Sequence, residues 1–380
     1  MFDFYKERFL QESKTPNGWD ESTMWLYFLI VIVIISFGIL AEKVKAYNPK
    51  NSRLFLNIAG IVLTLFLGLR GQNVGSDTIS YRRGFANALD RDAFSDTTIE
   101  TGFRYFYKLC RLFFSSEQFF IFLCSAITIS FFISGIKRYQ RYIDLRVSLL
   151  IFVCIFTFTQ LNIMRIYLAT SLVFWGFHYL MEDKEKKYCA LVILASLVHT
   201  STLVLLLPVF LAKLYERSKL YAAIFCGCLL FFFIAIGNFL QSYALLFARY
   251  AEYTEFDQGT GGAGIMFFFE FLPIAYILYY IYKRKINDKW AVYFISFAFI
   301  AIICRYASYT FTALGRLSNH TAILYVILLP YFLNYIKLNK DRRFYVPYVF
   351  LLLYCLVRLH FYFWDYLVGD DIMPYIFLSE

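Results

Sequence analysis

Eleven apolar runs, each near the length a helix needs to cross a lipid bilayer, follow one another along this chain with short breaks between them. They lie near residues 24–41, 54–70, 117–136, 147–162, 165–181, 188–212, 220–240, 265–282, 290–304, 317–336 and 344–363. Crossing hydrocarbon takes about 20 residues, because amides that meet no water must bond to one another and a helix rises about 1.5 Å per residue. Composition decides that these runs are spans and not core helices: 60% of the 380 residues are hydrophobic and only 17% are charged. A soluble fold with so little polar surface could not enclose that much apolar surface. The expectation is an all-α polytopic membrane protein with about 11–12 transmembrane or re-entrant helices. Residues 1–380 read as a single integral membrane domain. No cleavable leader is expected, since Met1–Glu21 is polar and the 24–41 run carries no small-residue cleavage site after it.

A net charge of +10 could suggest nucleic acid, but the charge is dispersed over short loops between apolar runs. That is the pattern of membrane orientation, and no nucleic-acid partner is expected. Six linkers, 42–53, 137–146, 182–187, 213–219, 283–289 and 337–343, hold 22 of the 37 basic residues and 14 of the 17 lysines. By the positive-inside rule they face the cytoplasm. Twelve of the 20 arginines lie elsewhere, which sets arginine apart from this orienting role. Two of the cytoplasmic linkers flank the 188–212 run. A single crossing is one reading, but parity is met if the run enters, turns near the polar cluster His199–Ser201 and returns as two short helices. Both termini then lie outside the cytoplasm, as do a long segment 70–116 and a loop 241–264.

Within the first of these outer segments, Phe103–Phe114 places Arg104, Lys108 and Arg111 on one helical face and Phe103, Phe106, Tyr107, Cys110 and Phe114 mostly opposite. It reads as a helix lying in the membrane interface. The 241–264 loop is rich in Tyr and ends in a glycine cluster from Gly259 to Gly264. With neither a Walker lysine after it nor a strand before it, the cluster reads as a mobile loop that could serve as a lid, and not as a phosphate cradle. The eight cysteines form no CxxC and fall mostly in apolar runs, as small packing residues do.

An ionisable side chain at membrane depth costs several kcal/mol unless it is paired or solvated, so each one is a functional hypothesis. Arg70, Arg165, His199, Arg305 and Arg316 qualify, all at or near the outer boundary in this topology. Guanidinium groups gathered on one side suit a pyrophosphate, which they grip with paired charge-assisted hydrogen bonds. The bland alternative is an arginine near a helix end that snorkels to water. Asp77 sits in Arg70-Gly71-Gln72-Asn73-Val74-Gly75-Ser76-Asp77-Thr78 and could act as general base, hold an arginine, or cap the next helix. Glu100 has the same ambiguity between capping the interfacial helix and binding a sugar hydroxyl. His199 could take a proton from a hydroxyl or bond a carbonyl at its turn. No HxxxH, HExxH or DxD pattern is present, so a metal site is not expected.

These residues together resemble the EpsG family of Wzy-like bacterial polysaccharide polymerases. The likeness runs through Arg70-Gly71, Val74-Gly75-Ser76-Asp77-Thr78, Tyr81, Glu100-Thr101-Gly102-Phe103, Asn162, Arg165, Leu168-Ala169, His199-Thr200-Ser201, Arg316 and Pro374-Tyr375. Ile166 departs from it, standing where the family pattern has glutamine. The resemblance implies a GT-C-like polymerase architecture and a metal-independent glycosyltransferase without cofactor at the outer face of the bacterial inner membrane. Its donor and acceptor would be undecaprenyl-pyrophosphate-linked oligosaccharides, in the lipid bilayer, beside a chain-length regulator and a flippase of the same pathway. His199, Asp77 and Arg316 would do the chemistry. Arg70, Arg165, Arg305, Glu100, Tyr81 and Asn162 would bind the pyrophosphate and sugars, with Tyr250 and Tyr253 as further stacking candidates. Three other readings are open: an O-antigen ligase, a lipid-linked oligosaccharide flippase or transporter, and a structural partner of a synthase complex.

Overall fold

The structure is a computed structural model describing residues 2–12, 18–90, 99–243, 264–308, 315–339 and 345–377. Tyr250, Tyr253, most of the 241–264 loop and residues 91–98 lie outside those ranges. All eleven apolar runs fall on helix, and among the described residues the only β pairing is an isolated bridge between Arg70 and Phe377. Six helices are long and apolar enough to cross a membrane: Glu21–Val44, Pro49–Gly68, Glu117–Arg138, Lys219–Ile236, Lys289–Ala307 and Tyr345–Gly369. A seventh span arises if Gly315–Ala322 and Tyr325–Leu338, bent by 46°, cross together. The protein is therefore a multi-pass membrane protein. The remaining runs are shorter or interrupted. Leu145–Ile151 continues as a π-turn over Phe152–Thr157 and a 3-10 turn over Phe158–Leu161, and 188–212 is broken at Leu197–His199.

The chain divides into two compact units. The first comprises residues 1–175, 197–199 and 355–380. Its helices are α1 (Asp3–Glu12), α2 (Glu21–Val44), α3 (Pro49–Gly68), α4 (Thr78–Ala86), α5 (Thr101–Phe113), α6 (Glu117–Arg138), α7 (Leu145–Ile151) and the first part of α8 (Met164–Met181). Local chemistry marks where they start. Asp20 caps α2 by accepting from the Ser22 and Thr23 amides at 3.1 Å each. Asn48 caps α3 ahead of Pro49, whose missing N–H costs nothing at the first helical position. Ser116 and Asp144 do the same for α6 and α7. Helices α2, α3 and α6 pack side by side, closely enough that a Cβ on Gly60 would sit 3.0 Å from Ile133 and one on Gly68 2.8 Å from Phe122.

The second unit comprises residues 176–196 and 200–354. It holds α9 (Glu185–Ser196), α10 (Leu206–Arg217), α11 (Lys219–Tyr243), α12 (Ile265–Arg284), α13 (Lys289–Ala307), α14 (Gly315–Ala322), α15 (Tyr325–Leu338) and the start of α16 (Tyr345–Gly369). Helix α13 is its centre: 72% of its apolar window is buried, against 11% for Lys219–Ile236 at the start of α11, whose side chains are left to lipid. Two of the lysine-rich linkers meet, with Lys289 bonding the Met181 carbonyl at 3.1 Å and the Asp183 carboxylate.

Candidate functional site

Helix α5 begins at Glu100, but the Glu100 side chain caps nothing. Its two carboxylate oxygens face Arg165 and His199 instead. Oε2 meets Arg165 Nη1 at 2.7 Å, and Oε1 lies 3.0 Å from His199 Nδ1. The glycine after Thr101 makes this possible. A Cβ on Gly102 would stand 2.5 Å from the Leu197 carbonyl oxygen, and that same carbonyl accepts from the Phe103 amide at 3.2 Å. Bare backbone at Gly102 thus lets α5 dock onto the break at Leu197–His199 and delivers His199 to the carboxylate.

All three members are mostly covered, with side chains 8%, 19% and 11% exposed for Glu100, Arg165 and His199. Burial would raise the Glu100 carboxyl, but contact with His199 and the charge of Arg165 outweigh it and hold it down at about 2. Arg165 also packs its guanidinium on the rings of Phe103, at 5.6 Å, and Tyr81, at 6.0 Å. Its Nε is buried with no hydrogen-bond partner among the described residues, so one directed donor of the fork is unspent.

Asp77 follows the same rule as Glu100. It stands at the N-terminus of α4 without capping it, and its Oδ2 accepts from the Tyr81 hydroxyl at 3.2 Å. Asp77, Tyr81, Arg165, Glu100 and His199 therefore form one line of contacts in the first unit. Tyr81 is buried within this line, its ring in the cluster with Phe85, Phe103 and Phe120, so it packs and does not offer an open stacking face.

Asn162 sits beside the same turn, but its amide is occupied by the protein: Oδ1 accepts from the Ser76 hydroxyl at 2.9 Å and the Asp77 amide at 3.0 Å, and Nδ2 donates to Asp370 at 2.8 Å. Asp370 was not singled out in the sequence, where it is one of two acidic residues after an apolar run. Its partner Asn162 is 208 residues away in the chain, and no local spacing announces that contact.

Arg70 is fully buried. Its guanidinium donates to the Leu67 carbonyl and, at 3.2 Å, to Thr78 Oγ1, with Met164 Sδ at 3.8 Å. Burial pulls it down to about 10, and no carboxylate among the described residues pairs with it. It ties the end of α3 to the start of α4, a positioning task, and its positive charge is left to act through space.

The other predicted residues belong to the second unit. Arg305, at the end of α13, pairs through Nε with Glu270 Oε2 at 3.1 Å. Glu270 also escaped the sequence reading, since a single carboxylate inside an apolar run gives no partner by spacing. Arg316 is half-buried in the first turn of α14. One helical turn on, the buried His320 bonds the Ser201 hydroxyl through Nε2 at 2.6 Å.

No curated protein and no solved structure matches the chain. A match to the EpsG family runs over residues 53–377, from ahead of the Arg70 turn to past Asp370, and so takes in every side chain of this site: the chain belongs to the EpsG family.

Proposed function

We propose that this protein is a Wzy-like surface-polysaccharide polymerase. A growing glycan would be moved from undecaprenyl pyrophosphate onto the non-reducing end of a lipid-linked repeat unit at the periplasmic face of the bacterial inner membrane. Membership of the EpsG family supports a polysaccharide polymerase type of function and a part in polysaccharide biosynthesis. The single observation that carries the mechanism is Glu100 holding both Arg165 and His199.

The chemistry follows from that pairing. The acceptor hydroxyl oxygen attacks the anomeric carbon, and the bond from that carbon to the diphosphate oxygen breaks, its electron pair leaving with the pyrophosphate. His199 takes the hydroxyl proton. With Glu100 beside Nδ1, the ring is kept in the form that leaves Nε2 basic, and the imidazolium formed is stabilised by the carboxylate. Arg165, held at one end and with its Nε unspent, meets the charge growing on the diphosphate. Asp77 and Tyr81 set the other flank of the guanidinium.

The segment 70–116 is read as periplasmic, with α5 in the outer interface. Its buried face is Phe103, Tyr107 and Cys110, and Tyr105, Leu109, Leu112 and Phe113 project outward, 68%, 55%, 71% and 79% exposed, as side chains that meet lipid would be. The test is reconstitution in liposomes with a defined undecaprenyl-pyrophosphate-linked repeat unit. Wild-type protein should build a ladder of products, and His199→Ala and Arg165→Ala should lower the rate by roughly 100-fold or more while the protein stays folded. A wild-type ladder made equally by both variants would remove the mechanism. In cells, deletion separates polymerase from flippase: single repeat units still reach the surface without a polymerase.

A further inference from the structure

The turn that carries Asp77 is held from a distance. Past the end of α16, the chain lies along residues 70–76: the Gly71 amide donates to Ile376 O, Gly75 to Asp371 O at 2.8 Å, and Ser76 to Asp370 O at 2.9 Å. Asp370 adds its side chain to this backbone lacing. Its Oδ1 accepts from Asn162 Nδ2 at 2.8 Å and its Oδ2 from the Tyr362 hydroxyl at 2.9 Å. The carboxylates that bear on it are Asp77 and Asp371, and no cation among the described residues pairs with it. Burial foremost, with help from those two carboxylates and against the two hydrogen bonds, lifts the Asp370 carboxyl to about 6.

A side-chain amide can be seated either way round, and only its neighbours decide. Asn162 faces two donors on one side, Ser76 Oγ and the Asp77 amide, and Asp370 on the other. An ionised carboxylate accepts and cannot donate, so it admits only the NH2 end, which sends the carbonyl oxygen to Asp77. Without that constraint Asn162 is free to flip, and the Asp77 amide then meets a donor.

We propose that Asp370 is a positioning residue of the site, acting through Asn162 to fix the Asp77 backbone and so the carboxylate that meets Tyr81. The geometry is independent of the reaction, but the consequence for rate rests on the polymerase reading above.

A side-chain exchange tests it in the full-length protein reconstituted with a lipid-linked repeat unit. Asp370→Asn puts an amide donor against Asn162 or Tyr362, and Asn162→Asp sets two carboxyls face to face. Each single variant should extend chains at least about 10-fold more slowly, through kcat more than KM. The exchange of both residues restores a donor–acceptor pair with its direction reversed, a donor at position 370 facing an acceptor at 162, and leaves acceptors for Tyr362, Ser76 and the Asp77 amide. It should return activity to within about 3-fold of wild type. Asn162→Asp alone should regain activity as the pH falls, because one shared proton restores a donor between the carboxyls. Folding is followed separately by thermal unfolding in detergent. Single variants with wild-type kcat, or an exchanged pair that recovers thermal stability but no rate, would overturn the positioning role. A wild-type protein that extends no chain overturns the polymerase reading and the inference with it. Activity lost in His199→Ala but retained in Asp370→Asn sinks the inference alone.

Discussion

Glu100 serves both Arg165 and His199 with one carboxylate, and that is where the site is most open to test. Glu100→Gln keeps the shape and removes the charge, leaving Arg165 and His199 close together without their shared anion. Polymer formation in the liposome assay should fall by roughly 100-fold. The sign of the acid response is fixed by the same contact. A carboxyl lowered from its ordinary 4.5 to about 2 contributes stability that is fully present above 4.5 and is lost as the pH falls towards 2. Thermal unfolding in detergent should therefore separate wild type from Glu100→Gln near neutral pH and bring them together near pH 2. Arg165→Lys should rescue little, since an ammonium can neither hold Glu100 with one nitrogen of a planar fork while presenting another nor lie flat on the Phe103 and Tyr81 rings.

At the scale of elements, two close approaches set the geometry. Gly75 has φ +89°, a region that L side chains avoid, and a Cβ there would come 2.1 Å from the Leu161 carbonyl oxygen. Gly75→Ala should cost about 1–3 kcal/mol and loosen the turn holding Asp77, read as a lower melting temperature together with lost polymer length. Gly102 has ordinary backbone but no room, so Gly102→Leu should push α5 off the Leu197 carbonyl and separate Glu100 from His199 while leaving α5 helical. Circular dichroism unchanged with activity abolished would fit; full activity would show that this approach does not matter. The strap after α16 has a similar standing. Tyr375 donates its hydroxyl to the Phe66 carbonyl, stacks on the Phe66 ring at 5.2 Å and donates its amide to Thr23 Oγ1 at 2.8 Å, which ties α2 and α3 to the segment that laces the Asp77 turn.

For the whole molecule the decisive matter is orientation in the bilayer. Single cysteines introduced into 42–53, 182–187 and 283–289 of a cysteine-free variant should be shielded from a membrane-impermeant maleimide in intact cells. A cysteine at Ser76 or in the 99–101 stretch should react. Labelling of the lysine-rich linkers from outside would invert the topology and place the Glu100 contacts on the wrong face for a lipid-linked repeat unit.

The sequence by itself determined the membrane and the helices. Apolar length and the need to satisfy every amide inside lipid are local properties, so all eleven runs fell on helix, and the polar cluster His199-Thr200-Ser201 marked where 188–212 breaks. It also picked out most of the side chains, because a charge inside an apolar run is conspicuous wherever it stands. What those side chains touch was decided only by the fold. Asp77 and Glu100 had the position of helix caps and turned out to hold Tyr81, Arg165 and His199 instead, and Arg70 proved to be buried. Asp370 stands after an apolar run and gave no signal, and Glu270, inside the 265–282 run, has no partner that spacing could name. The reason is the range of the forces: helix formation sums over neighbours a few residues apart, whereas a buried charge is satisfied by whatever the packing of distant segments brings to it.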